Sequence, residues 1–133
     1  MDIHEFAVVT RYDPETGQLL AIRDGTWGSI IAEPYAFVLG EHDLHKQYVD
    51  VGTKEVRKRP RFSISRSKKK ILADGGDLVV FRNIPTGTVV EAAGSLFTVD
   101  DGIFEFGAAL PGIYIVRFSL WPYLDDVCEV VAE

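Results

Sequence analysis

The chain of 133 residues has little cysteine, no long apolar run and no overall excess of positive charge. Its one cysteine, Cys128, excludes an internal disulfide, and its valine neighbours predict a small buried residue in a strand rather than a reactive thiol. The longest apolar stretches, residues 29–32 and 36–39, fall far short of the roughly 18 residues that a membrane helix needs. We therefore expect no membrane segment.

The chain also lacks the basic opening of a secretory signal, because it begins MDIHE. We expect no signal peptide and synthesis in a reducing compartment. The composition, 47% hydrophobic and 26% charged, is typical of a soluble globular chain and excludes disorder, collagen and coiled coil. A chain of this length buries one ordinary core or two small ones.

Charge is distributed in three blocks. Residues 1–56 carry 10 acidic and 4 basic side chains, residues 57–70 carry none and 8, and residues 71–133 carry 10 and 2. The net charges are therefore −6, +8 and −8. A block this dense usually lies on a solvated strand or linker, so it predicts a domain boundary near Arg59 and Pro60.

Proline, glycine and aspartate recur every eight to twelve residues, between segments rich in Val, Ile, Phe and Tyr, which is typical of all-β proteins. Residues 5–12 and 18–23 flank the turn sequence DPETG at 13–17 and predict a β-hairpin. A second, shorter hairpin is predicted at 48–56. Because of its proline, the stretch 29–39 predicts two short strands rather than one continuous element.

The second half of the chain predicts seven short strands and no amphipathic helix of ten or more residues. The strands are residues 61–72 (with a possible break at the lysines), 77–84, 88–92, 95–99, 103–106, 112–120 and 126–132. Seven strands in this length are typical of a small immunoglobulin-like sandwich. We therefore predict an all-β fold, with an N-terminal β-hairpin unit at 1–58 and a seven-strand immunoglobulin-like β-sandwich at 59–133.

Two groups of short motifs resemble known proteins. SRSKKKILADGGD at 65–77, NIPTGTV at 83–89 and PGIYIV at 111–116 resemble bacterial immunoglobulin-like modules, whose first strand often leads into an Ala-Asp-Gly turn. YDPETG at 12–17 and YVD at 48–50, with the Arg-Pro that follows, resemble small proteins encoded among the tail genes of tailed bacteriophages and prophages. The Lys68-Lys69-Lys70 run departs from the usual immunoglobulin-like strand, so the pairing of that strand stays open.

The resemblance implies a structural or adhesion protein of the phage tail, made in the bacterial cytoplasm and resident in the virion. It implies no catalytic residue. We also expect no cofactor and no metal site. Its implied partners are other tail proteins or copies of the same chain in a homo-oligomer.

The sharpest charge feature is a basic belt between residues 57 and 70. It consists of Arg57, Lys58, Arg59, Arg61, Arg66, Lys68, Lys69 and Lys70. Such a cluster could be a solvated edge strand whose lysines prevent edge-to-edge pairing, a contact for an acidic partner or subunit, or a phosphate-binding surface. Nucleic-acid binding is the least favoured of the three, because only Phe62 is interleaved and the isoelectric point is about 5.0.

Other polar clusters have both a functional and an ordinary interpretation. Imidazole and carboxylate groups in EHDLH at 41–45 are of the types that bind zinc, but their spacing matches no closed ligand pattern and favours a surface loop. The vicinal pairs at 100–101 and 125–126 could bind calcium or act as paired carboxylates of a small hydrolase. Aspartate beside a turn glycine or proline is favoured for its turn hydrogen bonds alone.

No catalytic motif is present: the sequence contains neither a nucleophile elbow nor a phosphate-cradling glycine loop nor a metal-binding helix motif. We expect a protein that is not an enzyme.

Three predicted loops should lie at one end of the sandwich and form a loop rim. Aromatic rings beside carboxylates suit a sugar or a protein contact, which makes a carbohydrate-binding or host-surface-binding module the alternative function. The aromatic residues could instead fold back over the open end of the core. The loop rim consists of Trp121, Tyr123, Asp100, Asp101, Asp125, Asp126 and Thr86.

Overall fold

The computed structural model describes residues 1–133 as an all-β protein with one short helix, which confirms the predicted fold class. Its residue contacts divide the chain into two compact units, Met1–Arg59 and Pro60–Glu133. The sequence placed the boundary between residues 58 and 59. Each unit is described separately below as unit 1 and unit 2.

Unit 1 contains five strands and one helix. They are β1 (Phe6–Tyr12), β2 (Leu19–Thr26), α1 (Trp27–Ile31), β3 (Phe37–Leu39), β4 (Gln47–Asp50) and β5 (Glu55–Lys58). Strand β1 lies between β2 and β3 in an antiparallel sheet, and β4 and β5 form a separate hairpin. Both predicted hairpins are present, at β1–β2 and β4–β5.

The two faces of the β1 strand pack into different clusters, because successive side chains point to opposite sides of a strand. Ala7 and Val9 pack with Ile30 of the helix. Tyr12, on the other face, packs with Leu19 and with Val49 of the β4–β5 hairpin. Unit 1 is thus a sheet with a helix on one face and a hairpin on the other.

The first of the two strands predicted within residues 29–39 is wrong, since residues 27–31 form helix α1. Thr26 is its N-cap, with its side chain accepting a hydrogen bond from the Ser29 amide (3.4 Å), while the Ser29 hydroxyl donates to the Thr26 carbonyl (2.8 Å). The N-cap residue therefore favours a helix here although the β-branched residues that follow it favour a strand. The second strand is confirmed as β3.

Unit 2 contains eight strands in two sheets. They are β6 (Ser65–Arg66), β7 (Lys70–Ile71), β8 (Val79–Arg82), β9 (Thr88–Ala92), β10 (Ser95–Val99), β11 (Phe104–Phe106), β12 (Gly112–Ser119) and β13 (Asp126–Ala132). The five-stranded sheet has the order β10-β9-β12-β13-β7 and the three-stranded sheet has the order β11-β8-β6. All pairs are antiparallel except β13 with β7.

A single core joins the two sheets of unit 2. Phe81 of β8 and Phe118 of β12 are each 1% exposed, and their ring centroids lie 5.3 Å apart in an edge-to-face arrangement. Residues of seven strands contribute buried side chains to this core. The arrangement is sandwich-like.

The first predicted strand of unit 2 is divided at the lysines. Strand β6 pairs with β8 in the three-stranded sheet, whereas β7 pairs with β13 in the other sheet. At the break, Ser67 exchanges hydrogen bonds with Val80, which holds the end of β6, and Lys68 and Lys69 are exposed. The chain therefore passes from one sheet to the other at the three lysines, whose side chains are exposed to solvent.

Candidate functional site

The basic belt is divided between the two units. In unit 1, Arg57 contacts the carboxylates of Asp50 (3.1 Å) and Glu55 (3.0 Å) within the β4–β5 hairpin. Arg59 donates to the carbonyl oxygen of His45 (3.1 Å). These cations stabilise the local fold, and the remaining belt residue of unit 1, Lys58, is exposed.

In unit 2, three of the five belt residues contact acceptors of the same unit. Arg66 donates to the Glu129 carbonyl (2.7 Å), Lys68 pairs with the Asp77 carboxylate, and Lys70 pairs with the Glu133 carboxylate (3.6 Å). Arg61 and Lys69 are exposed. Three of the eight belt cations, Arg57, Lys68 and Lys70, are therefore paired with a carboxylate of their own unit.

The Ala-Asp-Gly turn after β7 is organised by two carboxylates. Asp77 accepts from the Lys68 ammonium and from the Leu72 amide (2.8 Å), and both hydrogen bonds lower the pKa of its carboxyl group. Asp74 accepts from the amides of Asp77 (2.8 Å) and Gly76 (2.9 Å), which lower its pKa likewise. Lys68 of the belt thus stabilises a turn.

The three loops of the predicted rim lie at one end of unit 2. The Ile84 amide donates to the Gly102 carbonyl (3.2 Å), which joins the loop after β8 to the loop after β10. Ile84 and Pro85 line a cavity of about 260 Å³ together with Tyr123 of the third loop. The topology therefore brings these loops together.

The third loop also borders the largest cavity described in unit 2, of about 470 Å³. Its lining residues are Arg61, Phe62, Leu124, Asp125 and Asp126. Asp125 is exposed and Asp126 is half-buried. This cavity combines one guanidinium with two carboxylates, which together can hydrogen-bond a hydroxylated ligand.

The two aromatic residues of the rim differ in their surroundings. Tyr123 stacks on Phe62, with ring centroids 4.7 Å apart and an interplanar angle of 15°, and Phe62 in turn contacts Phe118 of the core. Trp121 is 39% exposed, and its peptide bond to Pro122 is cis. One ring face of Tyr123 is therefore covered, whereas Trp121 presents part of its surface to solvent.

The remaining rim residues lie in turns. Asp101 accepts from the Ile103 amide (3.1 Å), which is the usual turn role of aspartate. Asp100 and Thr86 are exposed. The pair at 100–101 does not line the cavity that contains Asp125 and Asp126.

The histidine-containing loop of unit 1 is held by backbone hydrogen bonds. The His42 ring lies 2.9 Å from the Leu39 carbonyl oxygen. Asp43 accepts from the amides of His45 (2.9 Å) and Lys46 (3.0 Å), which lower the pKa of its carboxyl group. No group of three or more His, Cys, Asp or Glu side chains is placed to hold a metal ion.

Cys128 is half-buried beside the core of unit 2, where the sequence had predicted a buried residue. Burial raises the pKa of its thiol. A raised pKa favours the protonated form, which is the less reactive one.

Sequence reasoning missed an exposed surface of unit 2 that carries large apolar side chains, which we call the outer sheet face. It is the solvent side of the five-stranded sheet and consists of Leu96, Ile113, Ile115 and Val127 with the charged Glu91, Arg117 and Glu129. Its isoleucines, Ile113 and Ile115, could have been found in the pattern GIYIVRF, because both faces of that strand carry apolar side chains.

The outer sheet face contains a groove of about 340 Å³. Its walls include Ile113, Ile115, Arg117 and Glu91. Leu96 and Ile113 are 69% and 66% exposed. Arg117 lies opposite Glu91 in the register of the sheet, so opposite charges lie directly beside the apolar side chains.

Comparison of the chain with protein-family models, curated proteins and solved structures gave no match. None of the helices in the structure has the length and apolar character to cross a bilayer.

Proposed function

We propose that the chain is a non-enzymatic structural or adhesion component of a phage or prophage tail, acting through protein–protein contacts. In this proposal it is made in the bacterial cytoplasm and resides in the virion, and its partners are other tail proteins or copies of itself. The observation that carries the contact role is the outer sheet face. On this face Ile113 and Ile115 are exposed next to each other beside charged side chains, and exposed apolar patches rimmed by polar residues mark protein interaction sites.

We further propose that unit 2 is an immunoglobulin-like module. Its strand order supports this, because two sheets, antiparallel except for the β13–β7 pair, share one core and the first strand is split between them. In such a module the sheet face is a rigid platform, so a partner can be bound without loss of backbone freedom.

The contact role is tested by incorporation into particles. Bacteria that encode the chain are induced to produce phage, and purified particles are probed for the chain with an antibody. Ile113→Lys places a charge in the groove and is expected to remove the chain from particles. Leu110→Lys makes the same kind of change at a loop leucine that is 72% exposed, and it should leave incorporation intact. Particles without the wild-type chain, or with undiminished Ile113→Lys chain, would refute the proposal.

The second candidate is binding of a host-surface carbohydrate by the loop rim. It is favoured by the cavity beside Arg61, Asp125 and Asp126, and by the exposed part of Trp121. Indole faces stack on sugar rings while carboxylates accept hydrogen bonds from hydroxyl groups. On a glycan array, Trp121→Ala should abolish a signal that Leu110→Ala retains, with both variants still folded by circular dichroism. An array without wild-type signal rejects this candidate.

A further inference from the structure

Strand β10 is one of the two edge strands of the five-stranded sheet, since it pairs only with β9. The two strands are joined by a two-residue turn, Ala93-Gly94, in which both residues have positive φ (50° and 78°). In such a hairpin the residues that flank the turn, here Ala92 and Ser95, form a hydrogen-bonded pair.

Hydrogen bonding then alternates along β10. Ser95, Phe97 and Val99 direct their backbone groups toward β9, so Leu96 and Thr98 direct theirs away from the sheet. The hydrogen bond from the Gly87 amide to the Val99 carbonyl (2.8 Å) agrees with this alternation. The free edge therefore presents two amides and two carbonyls to a further strand.

The composition of this edge is unusual for the molecule. Strand β10 has the sequence SLFTV, with no charged residue and no proline, and its residues favour extended structure. Leu96 and Phe97 point to opposite faces of the strand, and they are 69% and 45% exposed. A partner strand at this edge would cover parts of both side chains.

Other strands with a free edge carry charges that discourage pairing with a second molecule. The charged residues are Arg23 and Asp24 in β2, Asp50 in β4, Glu55, Arg57 and Lys58 in β5, Arg66 in β6, Lys70 in β7, and Glu105 in β11. The uncharged β3 has only three residues. Strand β10 is thus the one free edge of four or more residues without such protection.

We propose that β10 pairs antiparallel with β10 of a second copy of this chain, joining the two five-stranded sheets into one. Pairing centred on Phe97 places the two phenyl rings side by side and lets Leu96 exchange backbone hydrogen bonds with Thr98 of the other copy. In that register Asp100 lies opposite Gly94, so like charges are not brought together. A copy of the same strand fits because it supplies the same length, the same lack of charge and the same apolar side chains.

This inference rests on the proposed contact role and names one partner, a second copy. A five-residue strand covers less than the ~1,200 Å² typical of stable complexes, so the expected dimer is weak in dilute solution. Several copies held in one assembly would raise the effective concentration and favour the pairing.

The experiment is light scattering of the whole purified chain over a range of concentrations, at low and high salt. The mass is expected to rise from 14.8 kDa toward twice that value, with no weakening at high salt because the edge carries no charge. Leu96→Lys should weaken the association at least about tenfold. Leu110→Lys, at an exposed loop residue outside both proposed contact surfaces, should leave it unchanged.

Three results would overturn the inference: a mass of 14.8 kDa at every concentration, an oligomer that salt dissolves, or an oligomer lost with Ile113→Lys but kept with Leu96→Lys. A salt-sensitive oligomer would assign self-association to the basic belt. Incorporation into particles tests the proposed function separately, so either idea can fail alone.

Amide hydrogen exchange of the wild-type chain gives a second readout that needs no variant. The amides of Leu96 and Thr98 are expected to slow as the concentration rises, while exchange of the β12 amides stays constant. Concentration-independent exchange at both amides contradicts edge pairing even if the variants fail to fold.

Discussion

Gly17 lies directly against the backbone of Val49. The Val49 amide donates to the Gly17 carbonyl (2.9 Å), and a Cβ at Gly17 would overlap the Val49 carbonyl oxygen. Gly17 also has a φ of +79°, which side-chain-bearing residues rarely adopt. The turn of the first hairpin is therefore locked onto β4 at a position that only glycine can occupy.

The Gly17→Ala substitution is expected to lower the free energy of unfolding of unit 1 by about 3 kcal/mol or more, since it adds a backbone overlap to the strain of positive φ. The measurement is urea unfolding of a Trp121→Phe background, in which Trp27 reports on unit 1. Gly94→Ala is the matched control, because Gly94 has nearly the same φ (+78°) but open space around it. In a Trp27→Phe background, Gly94→Ala should lower the free energy of unfolding of unit 2 by only about 1 kcal/mol. Equal losses would contradict the packing argument.

Thr10→Val is expected to lower the stability of unit 1 by about 1–3 kcal/mol although the two side chains have the same shape. Thr10 is fully buried, and its hydroxyl donates to the Gly40 carbonyl (2.8 Å) and accepts from the His42 amide (3.2 Å). Valine would leave both backbone groups without that partner. Urea unfolding measures the loss, and the same substitution at the exposed Thr86 should change stability by less than about 0.5 kcal/mol. A neutral Thr10→Val would show that the hydroxyl is dispensable.

Asp77 should make the stability of unit 2 depend on pH in the acidic range. The Lys68 ammonium and the Leu72 amide lower its pKa in the folded state, so the unfolded state binds more protons in that range. The contribution is complete above the unfolded pKa and is lost as the pH falls through the lowered folded pKa. Asp74 contributes in the same direction.

The Asp77→Asn variant is therefore expected to be less stable at neutral pH and to show a shallower loss of stability on acidification. Thermal unfolding between pH 2 and 7, with the exposed Asp100→Asn as the control, measures both effects. An unchanged acid slope in Asp77→Asn would show that the turn hydrogen bonds do not couple to folding.

The stacked rings of Phe62 and Tyr123 should be energetically coupled. A double-mutant cycle with Phe62→Leu and Tyr123→Leu is expected to give a coupling free energy of about 0.5–1.5 kcal/mol. Phe62 and Phe97, whose ring contacts are with different residues, serve as the control pair. A coupling near zero would show that the stacking of the two rings does not stabilise unit 2.

Much of the strand pattern could be predicted because it depends on local chemistry. Proline, glycine and aspartate set the turns, and strands β9, β10 and β13 begin and end at the predicted residues. The helix at Trp27–Ile31 was missed because it has five residues, too few for a helical period to appear in the sequence. Its signal was the capping hydroxyl of Thr26.

The role of each candidate site depends on which residues its side chains contact in the fold, and residue types alone do not predict those contacts. The belt was visible as a run of cations, but its contacts with Glu129 and Glu133 join residues far apart in the chain. The same holds for Asp125 and Asp126, whose cavity requires Arg61 from a distant segment.

Local residue chemistry was thus sufficient to predict an all-β chain, its turns and most of its strands, because turn geometry and side-chain alternation act over a few residues. Only the tertiary fold decided that the segment at Lys68–Lys70 changes sheets, which belt cations contact acceptors in their own units, and that one sheet face and the β10 edge stay uncovered. The reason is that neutralisation, burial and strand pairing are set by residues brought together across long distances in the chain, which no short stretch of it encodes.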